Sequence, residues 1–325
     1  MQRTKRVMII DSLNLFLRSY NASPALSSHG PPVGGVLGYL RSLQKCMREI
    51  KPDEVIVVWD GPGGSRRKRT IFKNYKEGRK PVKMNRGNSF LTEEQDEQNK
   101  FWQQARLLEY LNNLPVIQLL APEVEADDLI ALVAKNHKYS DWNKIIVSND
   151  KDFIQLCDRK TILHRPTQAE TLNYKSVLEK YGIHPNNFTI ARAMEGDKSD
   201  NIAGVKGIGL KSVKKYLPIL AEEKSYLLSE IKDYCEEKKE EKIKTKFYDS
   251  VLDNMDLILQ NYKIMQLDTP NISPQATIDA RTQIAEFHYE MNWTAVETML
   301  IQDRIGDTNF AEMRAMFNKI VVENK

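Results

Sequence analysis

Five short, continuous runs of apolar and β-branched residues constrain this chain more than anything else: Val7–Ile10, Val55–Val58, Val116–Leu119, Ile145–Val147 and Ile162–His164. Longer stretches of helical period separate them, near Val36–Ile50, Glu93–Leu114 and Ala126–Lys138. Strands that are apolar throughout, rather than at every second residue, must be buried on both faces, and helical connections supply the cover. The alternation predicts an α/β fold with a parallel sheet flanked by helices. After about Leu172 the strand signal fades and short helices follow, with amphipathic patches around Gln283–Leu300 and Phe310–Val321. The expected organisation is a core over 1–172 with a long basic connection at about 61–100, a helical region over 173–268 and a helical tail over 269–325.

Three of the runs end in carboxylates: Ile10 leads into Asp11, Val58-Trp59 into Asp60, and Val147-Ser148-Asn149 into Asp150 and then Asp152. Ligands gather at the carboxyl ends of the strands in an open parallel sheet, so these acids should converge. Any one of them also suits a helix N-cap, but three in succession exceed that explanation. Two further clusters add to the set. Glu123-Val-Glu-Ala-Asp-Asp128 opens a helix and places Glu125 and Asp128 on one face, with Asp127 about a third of a turn away. Acids there also complement the helix dipole. Gly196-Asp-Lys-Ser-Asp200 repeats the i, i+3 spacing with Asp197 and Asp200. So many carboxylates around one crevice repel each other and call for cations. An oxygen-only donor set favours Mg²⁺ or Mn²⁺ over zinc. Two such ions about 4 Å apart suit in-line attack on a phosphodiester.

The complementary charge is concentrated too. Ten bases lie between Arg66 and Arg86, among them Arg66, Arg67, Arg69, Lys76 and Arg79, against the single acid Glu77. Such a block suits a polyanion, although a solvated linker has the same composition. Phe72 and Tyr75 within it fit a site that stacks unpaired nucleotides, and Lys76 and Arg79 suit charge developing on a scissile phosphate. Gly204-Val-Lys-Gly-Ile-Gly209 reads as a helix-hairpin-helix turn whose amides from Gly207 to Leu210 can meet a phosphate. Lys206, Lys211 and Lys214 add charge for sequence-independent backbone contact. Cys46, Cys157 and Cys235 form no C-x-x-C pair, which argues against zinc or disulfides and for a reducing cytoplasm. No apolar stretch approaches the roughly 18 residues of a membrane span.

The stretches IIDSLNLFLR, VVWDG, FKNYKEGR, EVEADD, SNDKDF, GDKSDNI and GVKGIG follow one another over roughly residues 7 to 220. Together they resemble the 5′-nuclease superfamily: flap endonucleases, the 5′–3′ exonuclease domains of bacterial DNA polymerase I, and stand-alone phage 5′-exonucleases and phage RNase H. The resemblance, nearest to the stand-alone phage enzymes, implies an α/β PIN-like sheet with a helical arch and a helix-hairpin-helix region. It implies a first metal site at Asp11, Asp60, Glu125, Asp127 and Asp128 and a second at Asp150, Asp152, Asp197 and Asp200. Two Mg²⁺ ions, with Mn²⁺ as a substitute, would occupy them, and K⁺ would sit on the carbonyls of the Gly204–Gly209 hairpin, which would hold the downstream duplex. Lys76 and Arg79 match the basic residues that contact the scissile phosphate. Arg192 stands where some members carry Lys, in a catalytic role. The expected activity is structure-specific hydrolysis of DNA flaps, 5′ ends or RNA–DNA hybrids, removing primers or flaps during replication. The expected enzyme is a monomer that meets no membrane, with a single-strand-binding protein or clamp as partner of the tail. Two rivals fit less well. A PIN-type ribonuclease predicts neither the hairpin nor the basic arch, and a purely DNA-binding relative should have lost some of the acids.

Overall fold

The computed structural model describes residues 3–77, 91–241, 245–305 and 309–324. Its sheet has six strands: β1 (Arg6–Asp11), β2 (Glu54–Val58), β3 (Ile117–Leu119), β4 (Asn143–Val147), β5 (Thr161–Arg165) and β6 (Glu170–Leu172). Their spatial order is β3-β2-β1-β4-β5-β6. The first five are parallel, and β6 returns antiparallel on β5. The chain builds outward from β1 to β3, then crosses back to lay β4 on the other side of β1. The carboxyl ends of β1 and β4 therefore flank the switch point, where open α/β sheets form their crevice. β6 was not anticipated; with three residues, of which only Leu172 is buried, it carries no readable pattern.

Burial on both faces follows from the side-chain alternation of the strands. Val7, Ile9, Ile56 and Val58 face one layer, while Met8, Ile10, Val55 and Val57 face the other. The second layer contains α1 (Ser12–Ala22), α2 (Gly34–Ile50) and, beyond the short α3 (Arg66–Ile71), α4 (Glu93–Asn112). Leu40, Leu43 and Leu107 from these helices are fully buried, each contributing about 1.5–3 kcal/mol of transfer free energy. Thr92 and Gln95 close a capping box that starts α4.

On the first layer α5 (Ala126–Ala134) ends earlier than its periodicity suggests. The Asn136 side chain takes the Lys138 amide and turns the chain into a short 3₁₀ segment, His137–Tyr139. α6 (Tyr174–Tyr181), α7 (Pro185–Glu195), α8 (Leu210–Tyr216), α9 (Leu228–Glu240), α10 (Phe247–Leu252) and α11 (Met255–Met265) continue from there. Val177, Phe188, Val213, Ile231 and Ile258 share one core with Val7 and Ile9.

The tail forms α12 (Pro274–Ala285), α13 (Trp293–Gln302) and α14 (Ala311–Glu323). The patch expected as continuous over Gln283–Leu300 is broken, because Asn292 caps a new helix at Ala295. Ala280 and Ile284 join the first layer, and Val296, Met313 and Phe317 join the second. The tail thus shares the core of the sheet. No described helix is long and apolar enough to cross a membrane.

Candidate active site

Each acid reaches the crevice by a separate piece of local structure. Asp11 ends β1 and caps α1, its Oδ1 accepting from the Asn14 amide (3.3 Å). Asp60, two residues past β2, accepts from the Ala126 amide (3.0 Å) and so fastens the start of α5. Asp150 follows β4 and holds the turn with the Asp152 amide (2.9 Å). Capping and site-building are here done by the same carboxylates. Asp11, Asp60, Asp127, Asp150 and Asp200 line one cavity of about 590 Å³, together with Lys76 and Lys100. The structure thus gathers Asp150 and Asp200 with the acids of β1, β2 and α5.

These carboxylates are buried beyond what their hydrogen bonds compensate. Burial, then the Asp127 charge, pushes Asp11 up to about 7 despite a 2.7 Å bond from the Ser148 hydroxyl. Burial, again with Asp127, raises Asp60. Burial, followed by the neighbouring charges of Asp152 and Asp127, raises Asp150 well above the usual carboxylate range. Asp152 is raised by burial although Arg192 opposes the shift. A crevice of oxygen donors that favours protons this strongly also favours any cation that can replace them.

On either flank the chain supplies cations of its own. Lys68 Nζ lies 2.6 Å from Glu125 and 3.9 Å from both Asp127 and Asp128. Lys76 Nζ lies 2.7 Å from the other Glu125 oxygen. Burial works upward on Glu125, but Lys68 and Lys76 overrule it and hold the carboxyl at about 2. Asp128 also accepts the Asn271 amide (2.8 Å), tying the tail to the site. Lys68, the one buried position of α3, escaped the sequence reading. On the other flank Arg192 spans Asp152 (3.1 Å), Glu195 (2.7 Å) and Asp197 (2.5 Å). Asp197 also accepts from the Ser199 amide and hydroxyl.

Lys68, Lys76 and Arg192 engage Glu125, Asp152 and Asp197, and no three acidic, imidazole or thiol side chains among the described residues form a ready-made metal cage. The donors that remain are the five aspartates of the cavity. They are oxygen ligands, and Asp11, Asp60 and Asp150 among them are buried beyond what their partners compensate, which suits a hard, partly hydrated cation.

Several expected roles change. Tyr75 is 2% exposed and packs with Phe72, Ile202, Ile264 and Met265, so it is not a stacking platform for nucleotides. Its hydroxyl faces Glu125 Oε2 (3.1 Å) and Asp200 Oδ2 (3.4 Å). Arg192 is buried and bonds three carboxylates and the Gly196 carbonyl, an arrangement that positions these acids. Arg66 pairs with Glu123, Arg67 with the Asn271 carbonyl and Arg69 with the Tyr75 carbonyl. Arg79, with the rest of residues 78–90 of the expected arch, lies outside the described residues. Lys76 has left-handed backbone (φ 56), and its amide donates to the Asp200 carbonyl at 2.9 Å.

At the hairpin, Gly207 is left-handed (φ 81), and Gly204 passes so close to Glu195 that a Cβ would lie 1.9 Å from its carbonyl oxygen. The amides of Ile208, Gly209 and Leu210 already donate to Val205, Ser212 and Glu195, contrary to the expected row of free amides. Lys206, Lys211 and Lys214 remain exposed.

An acidic crevice at the switch point of a parallel sheet, with an adjoining helix-hairpin-helix turn, defines the class. Residues 6–182 match the 5′-3′ exonuclease, N-terminal resolvase-like domain, and the chain belongs to this family. It is 35% identical over 215 residues to the thermostable DNA polymerase I of Thermus aquaticus, covering 65% of this chain and 24% of that protein. It is 30% identical over 222 residues to the 5′-3′ exonuclease of Aquifex aeolicus, covering 65% of this chain and 70% of that one. The chain therefore spans about a quarter of the length of its polymerase relatives. The phage T5 D15 protein, crystallised with metal ions, superposes with a TM-score of 0.63 at 18% identity, covering 92% of this chain and 98% of that one. Its complex with DNA and metal ions gives 0.62 at 19% identity, with the same coverage. These likenesses establish the fold.

Proposed function

We propose that the chain is a structure-specific 5′ nuclease acting on DNA flaps, 5′ ends and RNA–DNA hybrids, and that it removes primers or flaps during replication. The observation that carries this reading is the convergence of Asp11, Asp60, Asp127, Asp150 and Asp200 with Lys76 in one cavity. These aspartates would hold two Mg²⁺ ions, or Mn²⁺ in their place, directly or through water, and Glu125, Asp128, Asp152 and Asp197 would complete the field around them. The metal-bound crystals of the T5 relative support that assignment. Such ions supply Lewis acidity, acidifying the attacking water and stabilising the leaving oxygen.

Water adds to phosphorus and the bond to the 3′ oxygen breaks, leaving a 3′-hydroxyl on one fragment and a 5′-phosphate on the other. Lys76, now paired with Glu125, is placed to meet the charge that develops on the phosphate. Arg79 would assist it from the arch. Lys206, Lys211 and Lys214, with the Gly207 turn, would hold the duplex, and the turn's carbonyls would offer K⁺ a seat. Arg66, Arg67 and Arg69 would contact the strand's phosphates after exchanging their present partners.

A 5′-labelled flap duplex and a nicked, RNA-primed duplex, each with Mg²⁺ or EDTA, test this reading. Wild type should release short 5′ products only with Mg²⁺, and Asp150→Asn should release none. Tight binding without cleavage under any divalent metal would overturn the enzyme assignment.

A further inference from the structure

A second cavity, of about 560 Å³, opens on the far side of Asp150. It shares Asn14, Arg18 and Asp150 with the first, so the two form one crevice divided at Asp150. The first runs beneath Lys76 and Lys100. The second runs over the ends of β4 and β5, past Lys151, Arg165 and Lys198.

The two halves hold their positive charge differently. In the first, Lys76 is locked to Glu125. In the second, Arg18 donates to the Asn14 amide oxygen (3.1 Å), and neither it nor Lys151 or Lys198 meets a carboxylate at ion-pair distance among the described residues. Behind them stands Arg165, 6% exposed. It bonds Glu170 (3.0 Å) and the Asn149 carbonyl (3.1 Å), but its buried Nε finds no acceptor among the described residues. Buried donors are nearly always met, so the unanswered Nε leaves the Arg165 guanidinium, and with it this wall, with positive charge only partly compensated. A small free anion would be repelled by Asp150, Glu195 and Asp197 on the same wall. An anion delivered by a chain already anchored elsewhere would not be expelled in that way.

We infer that the second cavity is a phosphate subsite for the cleaved strand, taking the nucleotides immediately 3′ of the scissile bond. This inference deepens the nuclease reading and rests on it. The 5′ portion lies in the first cavity beside Lys76 and Lys100, the scissile phosphate sits at Asp150, and the following phosphates meet Arg18, Lys151 and Lys198. Arg165 braces the Asn149–Asp150 turn and the wall behind them.

The test uses the double variant Lys151→Ala/Lys198→Ala, its Lys→Arg counterpart, and flap duplexes with neutral methylphosphonate linkages at the first two positions 3′ or 5′ of the scissile bond. Binding is followed by anisotropy in an Asp150→Asn background, and turnover in the otherwise wild-type chain. The alanine pair should raise KM with kcat nearly unchanged, and should flatten the salt dependence of binding by roughly 0.7–0.9 log units per log salt for each lysine. The arginine pair should restore both. Neutral linkages 3′ of the bond should weaken binding to the chain with intact lysines and leave the alanine pair indifferent, the non-additivity expected of direct partners. Equal losses in both proteins, or coupling to the 5′ linkages instead, would overturn the subsite. If the parent chain cuts nothing, the nuclease reading fails while the anisotropy cycle still decides the phosphate site.

Discussion

Buried carboxylates stand at both ends of the parallel sheet, and the two ends treat them in opposite ways. At the amino end, Glu54 is 1% exposed and fully answered. It accepts from the hydroxyls of Tyr139 and Tyr289 and pairs with Lys138 at 2.9 Å. Asp53 beside it receives Arg3 at 2.7 Å and the Arg6 amide at 2.6 Å. At the carboxyl end, Asp11, Asp60, Asp127, Asp150 and Asp200 share a cavity in which Lys76 is already taken by Glu125. One end spends its acids on joining β2 to the tail through Tyr289. The other keeps negative charge in surplus, an arrangement that weakens a fold and is retained where a ligand supplies the missing charge.

Neutralising one acid of the surplus should separate activity from stability most sharply. Asp150→Asn should lower kcat by about 10³-fold or more, near 4 kcal/mol in barrier terms. It should also raise the thermal midpoint of the EDTA-treated protein, because a buried, mutually repelling charge has gone. A variant that lost activity and stability together would place Asp150 with Glu54 as a structural acid.

The surplus can be titrated as well. Asp11, pushed to about 7 by burial and the Asp127 charge, keeps its proton in the folded chain where the unfolded chain has lost it. That contribution to stability is complete below about pH 4 and is lost as the pH climbs through about 7, a swing on the order of 4 kcal/mol for one carboxyl. Melting of the metal-free protein should therefore fall from pH 5 to pH 8, less steeply in Asp11→Asn. Saturating Mg²⁺ should remove most of the fall, since a ligand of the folded state stabilises it by mass action. A flat profile without metal would show that the crevice is compensated after all.

The answered end should respond in the reverse sense. Glu54→Ala leaves Lys138 without its carboxylate, and the buried Tyr139 and half-buried Tyr289 hydroxyls without this acceptor, for a loss of about 3 kcal/mol in urea unfolding. Cleavage by the surviving folded fraction should stay near wild type at low temperature. A selective loss of kcat would mean that the amino end reaches the site.

The legible and illegible parts divide along a physical line. Val7–Ile10 and Val55–Val58 could be read as strands because burial on both faces imposes a continuous apolar run. Asp11, Asp60 and Asp150 could be placed together because the carboxyl ends of parallel strands must meet. What could not be read depends on partners distant in sequence. Four consecutive bases, Arg66 to Arg69, look alike until Glu125 selects Lys68 for burial. Arg192 resembles a phosphate-binding arginine until Asp152, Glu195 and Asp197 are seen around it. Tyr75 reads as free to stack because nothing nearby in sequence announces that Ile264 and Met265 of α11 pack against it.

Tyr75 also offers the finest test of the contrast, since it is a satisfied buried group lodged at the unsatisfied end. Burial, followed by the charges of Glu125 and Asp200, pushes its hydroxyl far above the usual tyrosine range, so it remains a donor. It can give its proton to Glu125 or to Asp200, one at a time. Tyr75→Phe keeps the packing against Ile202 and Ile264 and removes that one bond, so the expected loss is about 1.5 kcal/mol. Because the ring faces the interior, affinity for a single-stranded 5′ tail should match wild type in Tyr75→Phe. In Tyr75→Leu any loss of affinity should track the unfolded fraction. If Tyr75→Leu instead stayed folded and lost tail binding while Tyr75→Phe retained it, the ring would be a nucleotide platform, and the wall between Lys76 and Asp200 would open in solution.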